Sequence, residues 1–157
     1  MGQVRKMKFH YLLMADFTMQ QKLLMRRLKD TGLTSGQPKV LAFLSECNGA
    51  SQAEIAKACF LEAATVTSVI DGMVRQGLVD RRRDDRRTYQ IWLTDKGAAL
   101  AAQVNAEFLS LEKVAFSRIR EADAAALQRL LAEVYSALEQ QYSTQRLVDS
   151  EASGEVR

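Results

Sequence analysis

Hydrophobic side chains recur every three or four residues along most of the chain, which is the spacing of helices that bury one face. The first such stripe runs from Phe9 to about Leu28 and ends at Asp30-Thr31-Gly32, where the glycine favours the left-handed turn that closes helices. Two long stripes follow near the C-terminus, from Asp95 to about Arg120 and from about Ala122 to Tyr142. Polar, small and acidic residues dominate positions 143–157, which predicts a flexible tail.

Three shorter helices are predicted between the first stripe and residue 77. The first has Thr34 or Ser35 as its candidate N-cap and Pro38 in its first turn, where a missing N–H costs little. The second begins at Ser51-Gln52-Ala53-Glu54, a capping box in which serine and glutamate satisfy each other's backbone N–H groups. The third extends from about Ala63 to Gln76 and has one apolar and one polar face. Its predicted buried residues are Val66, Val69, Ile70, Met73 and Val74.

The hydrophobic period then changes to about two, which is typical of strands. Leu78–Arg81 and Thr88–Leu93 form the predicted arms of a β-hairpin, and an arginine- and aspartate-rich turn joins them. A hairpin directly after two short capped helices is the layout of a winged helix-turn-helix. We therefore expect a mainly α fold with a small β-hairpin wing, in which a winged helix-turn-helix lobe is joined to a helical dimerisation region.

Composition supports an ordinary globular protein of 157 residues, with 47% hydrophobic and 26% charged residues. The net charge of +3 is mild, so its distribution matters more than its size. Residues 80–87 hold five arginines against three aspartates, which leaves the hairpin tip positive. No apolar run is long enough for a membrane span, and the N-terminus lacks the pattern of a signal peptide, so we expect a cytoplasmic protein.

Candidate residues for metal binding or catalysis are scarce. Cys47 and Cys59 lie in apolar surroundings without CxxC spacing, which predicts two reduced core thiols. His10 is the single histidine and cannot build a zinc site with two cysteines. No glycine-rich phosphate loop or catalytic triad is visible, so we expect neither a cofactor nor an enzymatic activity.

Four short motifs occur in a fixed order and spacing along the chain. They are Ala64-Thr65-Val66-Thr67, Gln76-Gly77-Leu78-Val79-Asp80-Arg81, Asp85-Arg86-Arg87 and Leu93-Thr94-Asp95-Lys96-Gly97. Together they resemble the MarR family of bacterial winged helix-turn-helix regulators, from Phe9 to Tyr142. The chain differs from the family pattern at Ser68, where an arginine is usual, and at Phe60-Leu61, a turn without glycine.

The resemblance implies one MarR-like domain over residues 9–142, with the winged lobe at about 34–93 and dimerisation helices at about 9–29 and 95–142. It also implies a homodimer that binds a pseudo-palindromic operator in duplex DNA and regulates transcription, as a repressor released by a small lipophilic or phenolic ligand. The expected DNA-binding residues are Gln52, Ala63, Thr65, Thr67, Ser68, Arg83, Arg86 and Arg87. By analogy, an effector pocket is edged by His10, Met14, Phe17, Phe43 and Phe108.

Several alternatives stay open at this stage. The arginines of the hairpin could pair with Asp80, Asp84 and Asp85 instead of with phosphates, and both arrangements can coexist. The short hairpin also leaves open whether Arg86 or Arg87 enters the minor groove. A winged helix that binds a protein instead of DNA is a second function class, and a thiol-based redox sensor is a third.

Overall fold

The computed structural model describes residues 8–83 and 88–152, with side chains through Asp149. The bounds of the elements are α1 Phe9–Arg27, α2 Gln37–Glu46, β1 Ala50–Ser51, α3 Gln52–Cys59, α4 Ala63–Arg75, β2 Val79–Arg83, β3 Tyr89–Leu93, α5 Asp95–Phe116 and α6 Glu121–Ala152; a short 3-10 turn occupies Lys29–Thr31. Two compact units divide the chain, the first ending at Glu112 and the second beginning at Lys113. The predicted fold class, mainly α with a small β wing, is confirmed.

The two C-terminal helices differ from the prediction in length. α5 ends at Phe116, four residues before the predicted Arg120, because Ser117 interrupts it with a turn to Val114 O. α6 runs through Ala152, well into the segment for which the composition predicted a flexible tail. Side chains there bond within the helix, as Thr144 does to the carbonyl of Gln140.

The start of α3 is the predicted capping box. The Ser51 hydroxyl accepts from Glu54 N at 3.3 Å, and the Glu54 carboxylate accepts from Ser51 N at 2.8 Å. This prediction is confirmed because the motif is entirely local. It fixes the first turn of the helix whose opening residue is Gln52.

The start of α2 is different from the prediction. Gly36 occupies the N-cap position with a φ of 90°, a conformation that favours glycine, and no side chain caps the helix. Neither Thr34 nor Ser35 is the N-cap, so that prediction was wrong. Instead the Gln37 side chain reaches back and its Oε1 accepts from Thr34 N at 2.9 Å. Pro38 does lie in the first turn, as predicted.

The sheet has three antiparallel strands in the order β1-β3-β2. β2 and β3 form the predicted hairpin, in which Val79 pairs with Leu93 and Arg83 with Tyr89. β1 was not predicted, because two residues carry no detectable period. It pairs Ala50 with Ile91, so Ile91 lies on the central strand and is fully buried.

The core of the first unit is formed where α2, α3 and α4 pack on the sheet. α4 contributes Val66, Ile70 and Met73, which are fully buried. Val69 is only partly buried and Val74 is 38% exposed, so the buried stripe is narrower than predicted. A narrow stripe leaves most of the circumference of α4 on the surface. The other buried hydrophobic residues of this unit are Leu24, Leu28, Leu33, Val40, Leu41, Leu44, Ala50, Ile55, Cys59, Leu78, Val79, Ile91, Ala101, Val104 and Leu111.

The turn between α3 and α4 places Phe60 in the left-handed region at a φ of 53°, with its ring 72% exposed. Leu61 N donates to Ala56 O at 2.9 Å, which closes α3. A phenylalanine therefore stands where helix-turn-helix turns often have glycine. The turn therefore has a left-handed backbone conformation at a phenylalanine, although glycine adopts that conformation most easily.

Candidate nucleic-acid interface

The N-terminal half of α4 presents a polar surface formed by Ala63, Thr65, Thr67 and Ser68, which we call the α4 polar face. All four residues are exposed, because Val66 and Ile70 turn the opposite side of the helix into the core. The first turn of α4 contains no acidic residue that would repel phosphates. Small hydroxyl side chains on an exposed helix can donate to and accept from base edges in the major groove.

Gln52 lies against the same surface through a side-chain contact. Thr67 Oγ1 is 3.1 Å from Gln52 Oε1 and also 3.1 Å from Ala63 O. The single hydroxyl proton can serve only one of these acceptors at a time, so one of them stays open to another donor. The structure thus brings Gln52 and Thr67, two predicted contact residues from different helices, to one site.

An ion pair ties α4 to the wing. Arg81 Nη2 on β2 donates to Asp71 Oδ1 on α4, and the two side chains remain 32% and 41% exposed. The sequence analysis did not predict this ion pair, because it paired the wing arginines only with aspartates of the hairpin itself. The two residues are ten positions apart in the sequence, and they meet only because the turn after α4 brings β2 back alongside the helix.

The arginines of β2 lie over aromatic rings of β3. Arg82 stands 5.2 Å from the centroid of the Trp92 ring and also pairs with Asp80 at 3.8 Å. The Arg83 guanidinium lies 5.9 Å from the centroid of the Tyr89 ring. Stacking of this kind orders a long side chain while leaving its donors available. Arg86 and Arg87, the two other predicted wing contacts, lie outside the described residues.

The base of the wing is held by close backbone contacts. Asn48 Oδ1 accepts from Leu93 N at 2.8 Å, and a Cβ on Gly49 would lie 2.5 Å from the Trp92 ring. At the same end of the hairpin, Thr94 N donates to Leu78 O at 3.1 Å. A Cβ on Gly97 would overlap the same Leu78 carbonyl oxygen, so this position of α5 needs glycine.

The two cysteines occupy different environments. Cys59 is buried and its Sγ is 3.6 Å from Lys39 O, as predicted for a core thiol. Burial raises the pKa of the Cys59 thiol, and the nearby Lys39 charge opposes that shift. Cys47 is exposed beyond the last turn of α2, so the prediction that it is a core thiol was wrong. Its place at the C-cap directs it away from the apolar stripe of the helix.

Outside the wing, the described residues also bear on the expectations for the capping carboxylate, for metal ligands and for membrane spans. The pKa of Glu54 is lowered because the carboxylate accepts hydrogen bonds from the Ser51 backbone and hydroxyl. Within the described part of the chain, no three His, Cys, Asp or Glu side chains converge to hold a metal ion. None of the helices searched there combines the length and apolarity needed to cross a membrane.

The residues predicted to edge an effector pocket separate into two groups. Phe43 and Phe108 pack partly buried against the core of the first unit. His10, Met14 and Phe17 are exposed on α1, and the His10 ring lies 4.2 Å from that of Tyr11. The pocket itself stays a prediction.

Comparison with known proteins agrees with this geometry. Residues 31–87 match the sequence model of the MarR family. The chain is 37% identical over 76 residues to the HTH-type transcriptional repressor YetL of Bacillus subtilis, which is 46% of each chain. It is 39% identical over 75 residues to the HTH-type transcriptional regulator TtmR of Methylorubrum extorquens, covering 46% of this chain and 38% of TtmR. The matches span less than half the length of these curated relatives.

The fold as a whole is shared with solved structures. The S. aureus MepR–DNA complex matches with a TM-score of 0.76 and 23% identity, over 83% of this chain and 96% of that one. At that identity the likeness establishes the fold and not the ligand. The structure contains the lobe of a winged helix-turn-helix, with α3, α4 and the β2–β3 wing in the expected order.

Proposed function

We propose that the chain is a MarR-family protein that acts as a sequence-specific duplex-DNA-binding regulator of transcription and not as an enzyme. The observation that carries this proposal is the junction of the α4 polar face with the arginines of β2. The Asp71–Arg81 pair joins the helix to the wing, while Arg82 and Arg83 project beside it. A helix of this kind fits the major groove, and the arginines supply phosphate or minor-groove contacts.

The proposed protein is a homodimer. α1 buries a single residue, Leu24, and exposes seven large hydrophobic side chains along its length: Phe9, Tyr11, Leu13, Met14, Phe17, Met19 and Leu23. α6, in the second unit, exposes Leu127, Leu130, Leu131, Tyr135, Leu138, Tyr142, Leu147 and Val148. Apolar surface on this scale marks an interface in a monomer that is otherwise well packed. A second copy would cover it and place two winged lobes on a pseudo-palindromic operator.

The direction of regulation is proposed to be repression in the cytoplasm, relieved by a small lipophilic or phenolic ligand. Support comes from the relative YetL, which is named a repressor. Relief by thiol oxidation is the weaker alternative. Burial raises the pKa of the Cys59 thiol, and the exposed Cys47 directly follows Glu46 at the C-terminal end of α2, whose last turn contains no basic residue.

Selection of duplexes from a random pool, followed by titration of the selected operator, tests DNA recognition. Thr65→Ala and Thr67→Ala should each weaken operator binding by about 1–3 kcal/mol, because base-edge hydrogen bonds discriminate among sequences. Binding to random duplex should change little. Thr144→Ala, an exposed threonine of α6, is the matched control and should leave both affinities unchanged. Equal weakening on operator and random DNA would contradict base recognition by these hydroxyls.

Sedimentation equilibrium tests the homodimer at micromolar concentration. Leu138→Glu places a charge on the exposed apolar stripe of α6 and should shift the equilibrium toward monomer. Arg129→Gln, on the same helix, should sediment as the parent does. A parent chain that sediments only as monomer would refute the assembly. A chain that dimerises but shifts neither the selected nor a random duplex would favour a protein partner for the wing instead.

A further inference from the structure

A cavity of about 340 Å³ lies in the first unit between the N-terminus of α2 and the C-terminal half of α4. Its polar lining comes from Thr34, Ser35, Gln37, Ser68, Arg75 and Gln76. The volume falls in the range of small-molecule sites in proteins. We call it the α2–α4 cavity. None of the side chains proposed above to edge an effector pocket lines it.

The charge of the α2–α4 cavity is positive. No acidic side chain lines it, and Arg75 makes no ion pair within residues 8–83 and 88–149. A Cβ on Gly72 would lie 3.8 Å from Arg75 Nη2 and 3.1 Å from Gln37 Nε2. Both nitrogen donors therefore flank the same point of the α4 surface. Three hydroxyl groups, from Thr34, Ser35 and Ser68, complete a wall rich in donors.

Two amides of the wall have unmet hydrogen-bonding capacity. Gln37 is 2% exposed, and its Oε1 accepts from Thr34 N, while its Nε2 has no partner in the described part of the chain. Gln76 donates through Nε2 to Gly32 O at 3.2 Å, but its Oε1 is buried and has no partner among the described residues. Buried polar groups without partners are rare in folded proteins, so the buried Gln76 Oε1 indicates a missing donor.

We propose that the α2–α4 cavity binds a small oxyanion that carries both ionised oxygens and an O–H group, as inorganic phosphate does at neutral pH. The ionised oxygens accept from Arg75, from the hydroxyls and from Gln37 Nε2. The O–H group donates to Gln76 Oε1, which no fully ionised anion can satisfy. A phosphodiester of the DNA backbone has no O–H group, so the chemistry of the wall favours a free ion or a small molecule with such a head group.

Occupancy of the cavity has a consequence for DNA binding that rests on the proposed function. Ser68 belongs both to the cavity wall and to the α4 polar face. α2 and α4 already approach closely there, since a Cβ on Gly36 would lie 3.2 Å from the side chain of Val69. A ligand held between the two helices changes the position or freedom of Ser68, and by linkage DNA changes the affinity for the ligand equally.

Calorimetric titration of the full chain with sodium phosphate at constant ionic strength tests the binding site without DNA. Sulfate is the matched ligand, because it is tetrahedral and anionic but carries no proton at neutral pH. Phosphate should bind saturably and at least about tenfold more tightly than sulfate. Arg75→Gln should weaken phosphate binding about tenfold or more, whereas Arg129→Gln, which removes the same charge from α6, should not.

Gln76→Met tests the acceptor, since it removes the amide oxygen at nearly constant volume. It should abolish the preference for phosphate over sulfate while thermal melts show that the chain stays folded. The absence of saturable phosphate binding would overturn the proposal, and so would equal binding of both anions by the parent chain. Retention of the phosphate preference by Gln76→Met would also overturn it.

The DNA arm separates a free anion from a backbone phosphate. With a free-anion site, Arg75→Gln leaves the slope of log affinity for random duplex against log salt unchanged. If Arg75→Gln instead makes this slope shallower by about one unit and duplex displaces bound phosphate one for one, the site belongs to the DNA backbone and the free-anion proposal is wrong. Because the phosphate titration contains no DNA, its failure is distinct from a failure of the proposed function.

Discussion

Neutralising the ion pair between Asp71 and Arg81 should uncouple the wing from the recognition helix. Asp71→Asn and Arg81→Gln each remove one charge while keeping most of the side-chain volume. Arg81 is the third residue of β2 and pairs with Ile91 of β3, and Asp71 is one helical turn past the α4 polar face. Without the pair, β2 remains bonded to β3, but the direction of the wing relative to α4 is no longer fixed by a charged contact.

The magnitude follows from exposure. The Arg81 and Asp71 side chains are 32% and 41% exposed, so solvent screens part of their attraction. Fully exposed pairs contribute about 0.2–1 kcal/mol, and charge-assisted hydrogen bonds are roughly twice as strong as neutral ones. We expect a coupling energy of about 0.5–1.5 kcal/mol. For a chain of this size each kcal/mol corresponds to a fall of about 2–4 °C in Tm.

The assay is a double-mutant cycle in urea, with both single variants and the double variant. Arg129 and Glu133 on α6 provide the control cycle, because both of their side chains are 65% exposed and their pair is purely helical. The control should give at most about 0.5 kcal/mol. Operator titration of the same variants should show weaker binding even where the fold is fully populated, because a loosened wing loses entropy on docking.

Additive effects of Asp71→Asn and Arg81→Gln would refute the reasoning. A coupling energy no larger than that of the Arg129–Glu133 cycle would mean that the contact is a solvated surface pair. Undiminished operator affinity in both folded variants would show that the wing keeps its position through the sheet alone.

Four further outcomes are expected. Gly97→Ala should lower Tm by several degrees in a thermal melt, since its Cβ would overlap backbone that cannot move away, and a melt within one degree of the parent would contradict this close approach. A thiol reagent under native conditions should label the exposed Cys47 rapidly and the buried Cys59 only at the rate of local opening, so equal labelling rates would refute the assignment. Ser51→Ala should cost about 1 kcal/mol in urea unfolding through loss of the N-cap. The folded pKa of Glu54 lies below its unfolded value, so its contribution to folding stability is full above the unfolded pKa and is lost as pH falls through the folded pKa. Glu54→Gln should therefore flatten the acid side of the curve of Tm against pH. An unchanged acid side would contradict the lowered pKa.

Local chemistry was predictable from the sequence, and contacts between distant segments were not. The capping box of α3 depends on two residues three positions apart, so the local sequence alone determines its geometry. The cap of α2 also looked local, but Gly36 takes the N-cap because a φ of 90° is required there. Thr34 and Ser35 have side chains that can cap a helix, but both residues precede the N-cap position of α2.

The candidate site shows the same division. The exposure of Thr65, Thr67 and Ser68 followed from helical periodicity, because the buried stripe of α4 fixes which side faces outward. The bond between Gln52 and Thr67 joins two helices, and the role of Asp71 depends on how the strand returns along α4. No period in the sequence encodes either contact, since both arise from tertiary packing.

The close contact at Leu78 fixes the start of α5 against the end of the wing. The Leu78 carbonyl accepts from Thr94 N, and the absence of a side chain at Gly97 lets the helix lie directly on that strand end. From Asp95 to Glu112 the helix extends about 27 Å at 1.5 Å per residue. A tilt of about 10° at Leu78 would therefore displace the Glu112 end of the helix by about 5 Å. A small rotation at this contact is thus amplified along α5 into a shift of several ångströms.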